Sequence, residues 1–187
     1  MNKKVIISLS IILNIVLIIA VFFPEKNIFS KSNKVEKKYE TTDKGQRVYV
    51  ETEFDYNGDP VYQKTVVDSE LFKEVYFTDS QAKEEKNYKN GQAHGYWIIY
   101  DNNKNIKTSS RYEDGDLREI LKYYPNGNIQ ELSIPETNKI RLITRYYKNG
   151  IVESEGKMIV SKNGNEAFHD RWIWYNVNGS IKKEQSF

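Results

Sequence analysis

From Arg47 onward, apolar and polar residues alternate in runs of five to nine, each closed by a turn-forming group. A period of two sends successive side chains to opposite faces of a strand. It predicts strands at 47–54, 61–67, 96–100, 106–112, 117–124, 129–134, 140–147, 152–160 and 171–175, with a last strand edge around 181–187. The run 140–147 sets Ile140, Leu142, Thr144 and Tyr146 on one face and Arg141, Ile143, Arg145 and Tyr147 on the other. Both faces are mixed, which argues against a two-sheet sandwich with apolar inner faces. It suits one layer whose aromatic side chains cover each other across strands.

The punctuation between the runs is regular. Seven of the ten glycines follow Asn or Asp: Gly58, Gly91, Gly115, Gly127, Gly150, Gly164 and Gly179. Such pairs favour tight hairpin turns when alternating residues flank them. The segment Tyr124-Pro125-Asn126-Gly127 reads as a type I turn ending in a left-handed glycine. Tyr76, Tyr100, Tyr124, Tyr147 and Tyr175 recur at intervals of 24, 24, 23 and 28 residues and predict a repeat. Two turns in each period of about 24 residues leave room for hairpins and none for a helix. The expected fold is therefore all-β, an elongated single-layer antiparallel meander over residues 47–187.

The phrases YKNGQAHGYW (88–97) and YYPNGNIQE (123–131) resemble the bacterial MORN-repeat-variant family. The resemblance covers residues 47–187 and is clearest over 88–155; the first units are degenerate. It implies stacked β-hairpins that serve as a binding or scaffold surface. Many members of that family are described as antitoxin-like, which implies a toxin partner as one alternative.

The amino terminus follows a different pattern. Residues 5–23 are apolar except for Ser8, Ser10 and Asn14, after Lys3 and Lys4. Nineteen helical residues span about 28 Å, close to the thickness of a bilayer core. Residues 1–23 are thus expected to form an uncleaved transmembrane anchor; a cleaved signal peptide, and hence secretion, is the alternative. Residues 24–46 are polar, lysine-rich and without sustained alternation, and are expected to be a flexible linker. The leading lysines favour export of the repeats. Lys26, Lys31, Lys34, Lys37 and Lys38 beyond the run favour the opposite orientation.

Composition narrows the chemistry. Basic and acidic residues number 28 and 26, and this balance gives no support for nucleic-acid binding. There is no cysteine, so disulfides and thiolate chemistry are excluded. Neither zinc-ligand spacing nor a nucleophile, phosphate-loop or dinucleotide motif occurs, and no cofactor or metal is expected. His94 and His169 each precede a tryptophan of the repeat, a structural role. A carboxylate pair across strands, as in carbohydrate-active enzymes, is the residual catalytic alternative. Binding is the expected class, with Tyr96, Trp97, Tyr100, Tyr123, Tyr124, Tyr146, Tyr147, Trp172 and Trp174 spaced to form rows across strands. The competing reading makes these rings the core of a one-layer sheet. The expected partner is a protein or cell-envelope component. Gly127→Val is expected to cost more stability than Glu131→Ala.

Overall fold

A computed structural model describes residues 34–161 and 164–187. The expected membrane anchor, residues 1–23, lies outside the described residues, as does Asn163 of one expected turn. The described secondary structure is entirely β, in fourteen strands. These are β1 (Lys34–Thr41), β2 (Arg47–Phe54), β3 (Pro60–Val67), β4 (Glu70–Thr78), β5 (Gln81–Lys89), β6 (Gln92–Ala93), β7 (Gly95–Tyr100), β8 (Ile106–Glu113), β9 (Asp116–Tyr123), β10 (Ile129–Pro135), β11 (Ile140–Tyr146), β12 (Val152–Val160), β13 (Glu166–Tyr175) and β14 (Ile181–Ser186). Within residues 34–93 and within residues 94–187, the pairings are antiparallel between successive strands, so each stretch is a meander of hairpins. Among the described residues no helix is long and apolar enough to cross a membrane.

Two turn designs account for nearly every connection. In the first, five residues long, the amide of the first residue donates to the carbonyl of the fifth, and the fourth amide to the first carbonyl. It recurs at 42–46, 55–59, 101–105, 124–128, 147–151, 161–165 and 176–180. Its fourth residue is left-handed, which is where glycine avoids a Cβ clash. Gly127 sits there with φ 85°, while Lys104 takes the same place with φ 68°. The second design has two residues, both with positive φ: Asp68-Ser69, Asp79-Ser80, Asn90-Gly91 and Asp114-Gly115. All seven glycines expected in turns have positive φ.

The turns re-phase the tyrosine repeat. Tyr100, Tyr123, Tyr146 and Tyr175 are the last strand residues before a five-residue turn, and Asp101, Tyr124, Tyr147 and Asn176 are the first turn residues. The series that counts Tyr124 and Tyr147 with Tyr100 and Tyr175 mixes two positions, because adjacent tyrosines make both phases look periodic. Tyr76 lies inside β4, three residues before the Asp79-Ser80 turn.

The described residues form two compact units, one up to Ala93 and the other from His94 to Phe187. In the first, residues 34–41 form β1 although they fall within the expected linker, 24–46. The strand is polar because charge pairing stabilises it. Lys37, Glu51, Lys64, Glu74 and Lys86 stand opposite one another on five successive strands, alternating in sign. Glu51 carries ion pairs to Lys37 at 3.2 Å and Lys64 at 3.1 Å. Tyr39 packs on Tyr49 with ring centroids 5.1 Å apart. Such cross-strand pairs contribute with little apolar burial, so a hydropathy pattern does not reveal the strand.

The second unit holds a small core of Ile143, Met158 and Trp172, with Trp174 packed against it. Trp172 is fully buried, and its indole Nε1 donates to the Lys157 carbonyl at 2.6 Å. Gly156 makes this possible, since a Cβ there would lie 2.5 Å from the indole. The pairing of β12 with β13 shifts at this point, between Glu155 and Lys157. Beside the core, Glu131 of β10 is buried and receives Lys122 of β9 at 2.7 Å and Arg145 of β11 at 2.9 Å.

Candidate binding site

The five-residue turns after β7, β9, β11 and β13 lie along one edge of the second unit, because two strands separate each from the next. Their leading tyrosines link the edge together. Tyr124 Oη donates to the Tyr146 carbonyl at 2.8 Å, and Tyr147 Oη donates to the Tyr175 carbonyl at 2.8 Å. Asn128 Nδ2 adds a bond to the Lys148 carbonyl at 2.8 Å, with the Lys148 ammonium 5.9 Å from the Tyr124 ring centre. The turns at 124–128, 147–151 and 176–180 are thereby linked in series. Burial, with a smaller contribution from Glu153, raises the Tyr124 phenol above its ordinary value.

A groove of about 380 Å³ opens on this edge, lined by Ile99, Tyr100, Asp101, Asn102, Ile106, Lys107, Tyr123, Tyr124 and Pro125. Its walls are held in place from behind. Asp101 Oδ1 accepts the amides of Asn103 at 2.8 Å and Asn105 at 2.9 Å. The Tyr123 hydroxyl lies 3.2 Å from Ser109 Oγ. Ile99 and Ile106 are exposed at its rim. Tyrosine rings, two isoleucines and one lysine suit a flat apolar or amphipathic group, the kind of side chain found at protein interfaces.

The structure distributes the nine expected binding residues unevenly. Tyr100, Tyr123 and Tyr124 share the groove. Tyr146 closes β11 and Tyr147 opens the next turn, where the Tyr146 carbonyl and the Tyr147 hydroxyl brace the edge. Trp97, Trp172 and Trp174 do not join a tyrosine row, because strand alternation places them on the face opposite Tyr96 and Tyr100. Trp97 packs on Tyr112 at 4.7 Å, and Tyr96 is about half exposed. Trp172 has no accessible surface, so it is core. Trp174 contacts an aromatic group with Phe168 and Phe187, whose rings stack at 4.8 Å.

The first unit carries a second groove of about 510 Å³, lined by Tyr39, Glu40, Thr41, Arg47, Val48, Tyr49, Val66 and Ser69. Its Tyr39 is two-thirds exposed and lies in the stretch expected to be linker, where a lone tyrosine between Lys38 and Glu40 shows no alternation. Nearby, Tyr62 and Tyr88 both donate to the Glu74 carboxylate, at 2.7 and 2.6 Å. Burial first, and then the bond to Glu74, pushes both phenols well above the ordinary range.

The two histidines sit in different places: His94 lies between β6 and β7, and His169 lies within β13 opposite Lys157. His94 Nδ1 lies 3.3 Å from an Asp114 carboxylate oxygen, beside the turn between β8 and β9. His169 lies 3.6 Å from its neighbour Asp170. Among the described residues, no group of three or more His, Asp or Glu stands where a metal ion could be held. No protein-family model matches the chain, and a search of curated proteins finds no match.

Proposed function

We propose that this chain is a membrane-tethered β-repeat module that binds a protein or cell-envelope component without catalysing a reaction. One observation carries the binding reading: fifteen large hydrophobic side chains are exposed among the described residues, against four hydrophobic residues that are buried. A sheet that leaves this much apolar surface on turns and strand faces is suited to a partner. The groove of Tyr100, Tyr123 and Tyr124 is the preferred contact, since its rings are pre-positioned and lose little freedom on binding. The tether rests on the apolar run at 5–23, and the elongated one-layer form on the repeat.

A photo-crosslinker at Ile106, on the groove rim, tests this in intact cells against one at Lys182. The proposal expects a defined adduct from position 106 that is lost with Tyr100→Ala. Equal labelling from both positions would refute the groove. The lysines after residue 23 and the resemblance to the MORN-repeat-variant family favour a second reading, an antitoxin or immunity protein facing the cytoplasm. Protease accessibility of a carboxyl-terminal tag separates the two. Digestion outside an intact inner membrane supports the envelope reading, and protection until lysis supports the antitoxin reading.

A further inference from the structure

The tetrapeptide Tyr-Lys-Asn-Gly occurs twice, at 88–91 and at 147–150, and the fold puts the two copies in different turns. At 147–150 it opens a five-residue turn. There the Gly150 amide donates to the Tyr147 carbonyl at 2.8 Å. The Asn149 side-chain oxygen accepts the Ile151 amide at 3.2 Å. Both groups that would have to react with each other are therefore engaged. The same arrangement holds at Asn126, where Gly127 N bonds Tyr124 O at 2.9 Å and Asn126 Oδ1 accepts Asn128 N at 3.2 Å. It holds again at Asn178, where Gly179 N bonds Asn176 O at 2.8 Å and Asn178 Oδ1 accepts Ser180 N at 3.0 Å.

At 88–91 the same letters span a two-residue turn. Asn90 and Gly91 are its two loop residues, with φ 52° and 72°, and the flanking pair is Lys89 opposite Gln92. Both are exposed. Among the described residues, neither the Gly91 amide nor the Asn90 side chain has a hydrogen-bond partner. A Cβ at Gly91 would meet nothing within 4 Å, so the turn stands in open space where water and base reach it.

We infer that Asn90-Gly91 is a site of spontaneous covalent modification, deamidation through a succinimide, and that the five-residue turns protect Asn126, Asn149 and Asn178 from it. The Gly91 amide nitrogen gives its proton to solvent base and attacks Asn90 Cγ. A new C–N bond closes the five-membered ring, and the side-chain nitrogen takes up a proton and leaves as ammonia. Water then adds to either ring carbonyl and breaks one C–N bond. One product is aspartate. The other is isoaspartate, which routes the main chain through the former side chain. Either product adds a negative charge at the β5–β6 turn, and isoaspartate also lengthens the backbone of a two-residue loop that has no slack.

The test uses the intact folded protein, aged in mildly alkaline buffer and then digested for peptide mass spectrometry. The peptide containing Asn90 is expected to convert about ten-fold faster than that containing Asn149, a factor equivalent to about 1.4 kcal/mol. This is the order expected when two hydrogen bonds must first open. Isoaspartate should be found at position 90. Ageing in denaturant should bring the two rates together, because the local sequences match. Equal rates in the folded protein, or faster loss at Asn149, would overturn the inference. So would a ratio unchanged by denaturant, which would assign the difference to the residues that follow each glycine. Asn90→Ser should abolish conversion at that position and leave Asn149 unaffected.

Discussion

A methyl group on Gly156 would lie 2.5 Å from the Trp172 indole, the largest fully buried side chain among the described residues. Gly156→Ala is therefore expected to cost about 1–3 kcal/mol or more, read as a lower melting temperature with altered tryptophan fluorescence. Ser133 offers the opposite case: its hydroxyl is buried with no partner, so Ser133→Ala should raise stability by about 1 kcal/mol in a denaturant titration. Glu131 changes the meaning of a comparison made on sequence. It is buried between Lys122 and Arg145, so Glu131→Ala strands two cations and is no benign reference for Gly127→Val. Burial alone would raise its carboxyl; the bonds from Lys122 and Arg145 outweigh this and hold it below the usual range. A depressed folded pKa contributes stability that is present above the unfolded value and lost as pH falls through the folded one. Acid melts from pH 6 downward, about the range where carboxylates protonate, should lose less stability in Glu131→Gln than in the unmodified protein.

Within the elements, the turns are coupled rather than independent. Tyr147 reaches the carbonyl of Tyr175, 28 residues on, so the 147–151 turn supports the start of the 176–180 turn. Tyr147→Phe removes one hydrogen bond and leaves the ring, and should cost about 0.5–1.5 kcal/mol. Faster amide exchange at the 176–180 turn would show that the loss travels along the edge; exchange confined to 147–151 would contradict the coupling. These bonds were invisible in the sequence, where Tyr124 and Tyr147 resemble any other aromatic of a binding row. Alternation did locate β2 and most strands of the second unit, because half-exposed hydrophobic strands keep a period of two. It passed over β1, whose cross-strand ion pair is to Glu51 of β2, and also over β4 and β5.

For the molecule as a whole, buried apolar side chains are concentrated in β11, β12 and β13, while the first unit has only Val75 buried among its described hydrophobic residues. In a repeat architecture each strand draws stability from its immediate neighbours, so protection should follow local packing. Hydrogen exchange should accordingly be slowest in β11–β13 and faster in β1–β3. Uniform protection would argue instead for one cooperative block. The candidate groove was legible only in part. Tyr100, Tyr123 and Tyr124 were named by their recurrence, but the groove needs Ile99, Ile106 and Pro125 brought beside them by strand pairing.

What the sequence determined by itself is local: a period of two makes strands, and Asn-Gly or Asp-Gly pairs make turns with a left-handed residue. These depend on neighbours along the chain, and they sufficed for an antiparallel meander. Tertiary structure decided what depends on neighbours across it. It sent the tryptophans and Tyr96 to opposite faces, buried Trp172 against Gly156, and recruited a polar stretch as β1. It also gave one tetrapeptide two different turns. The physical reason is register: the pairing of whole strands, summed over many side chains, outweighs the small preference of four residues for one turn over another.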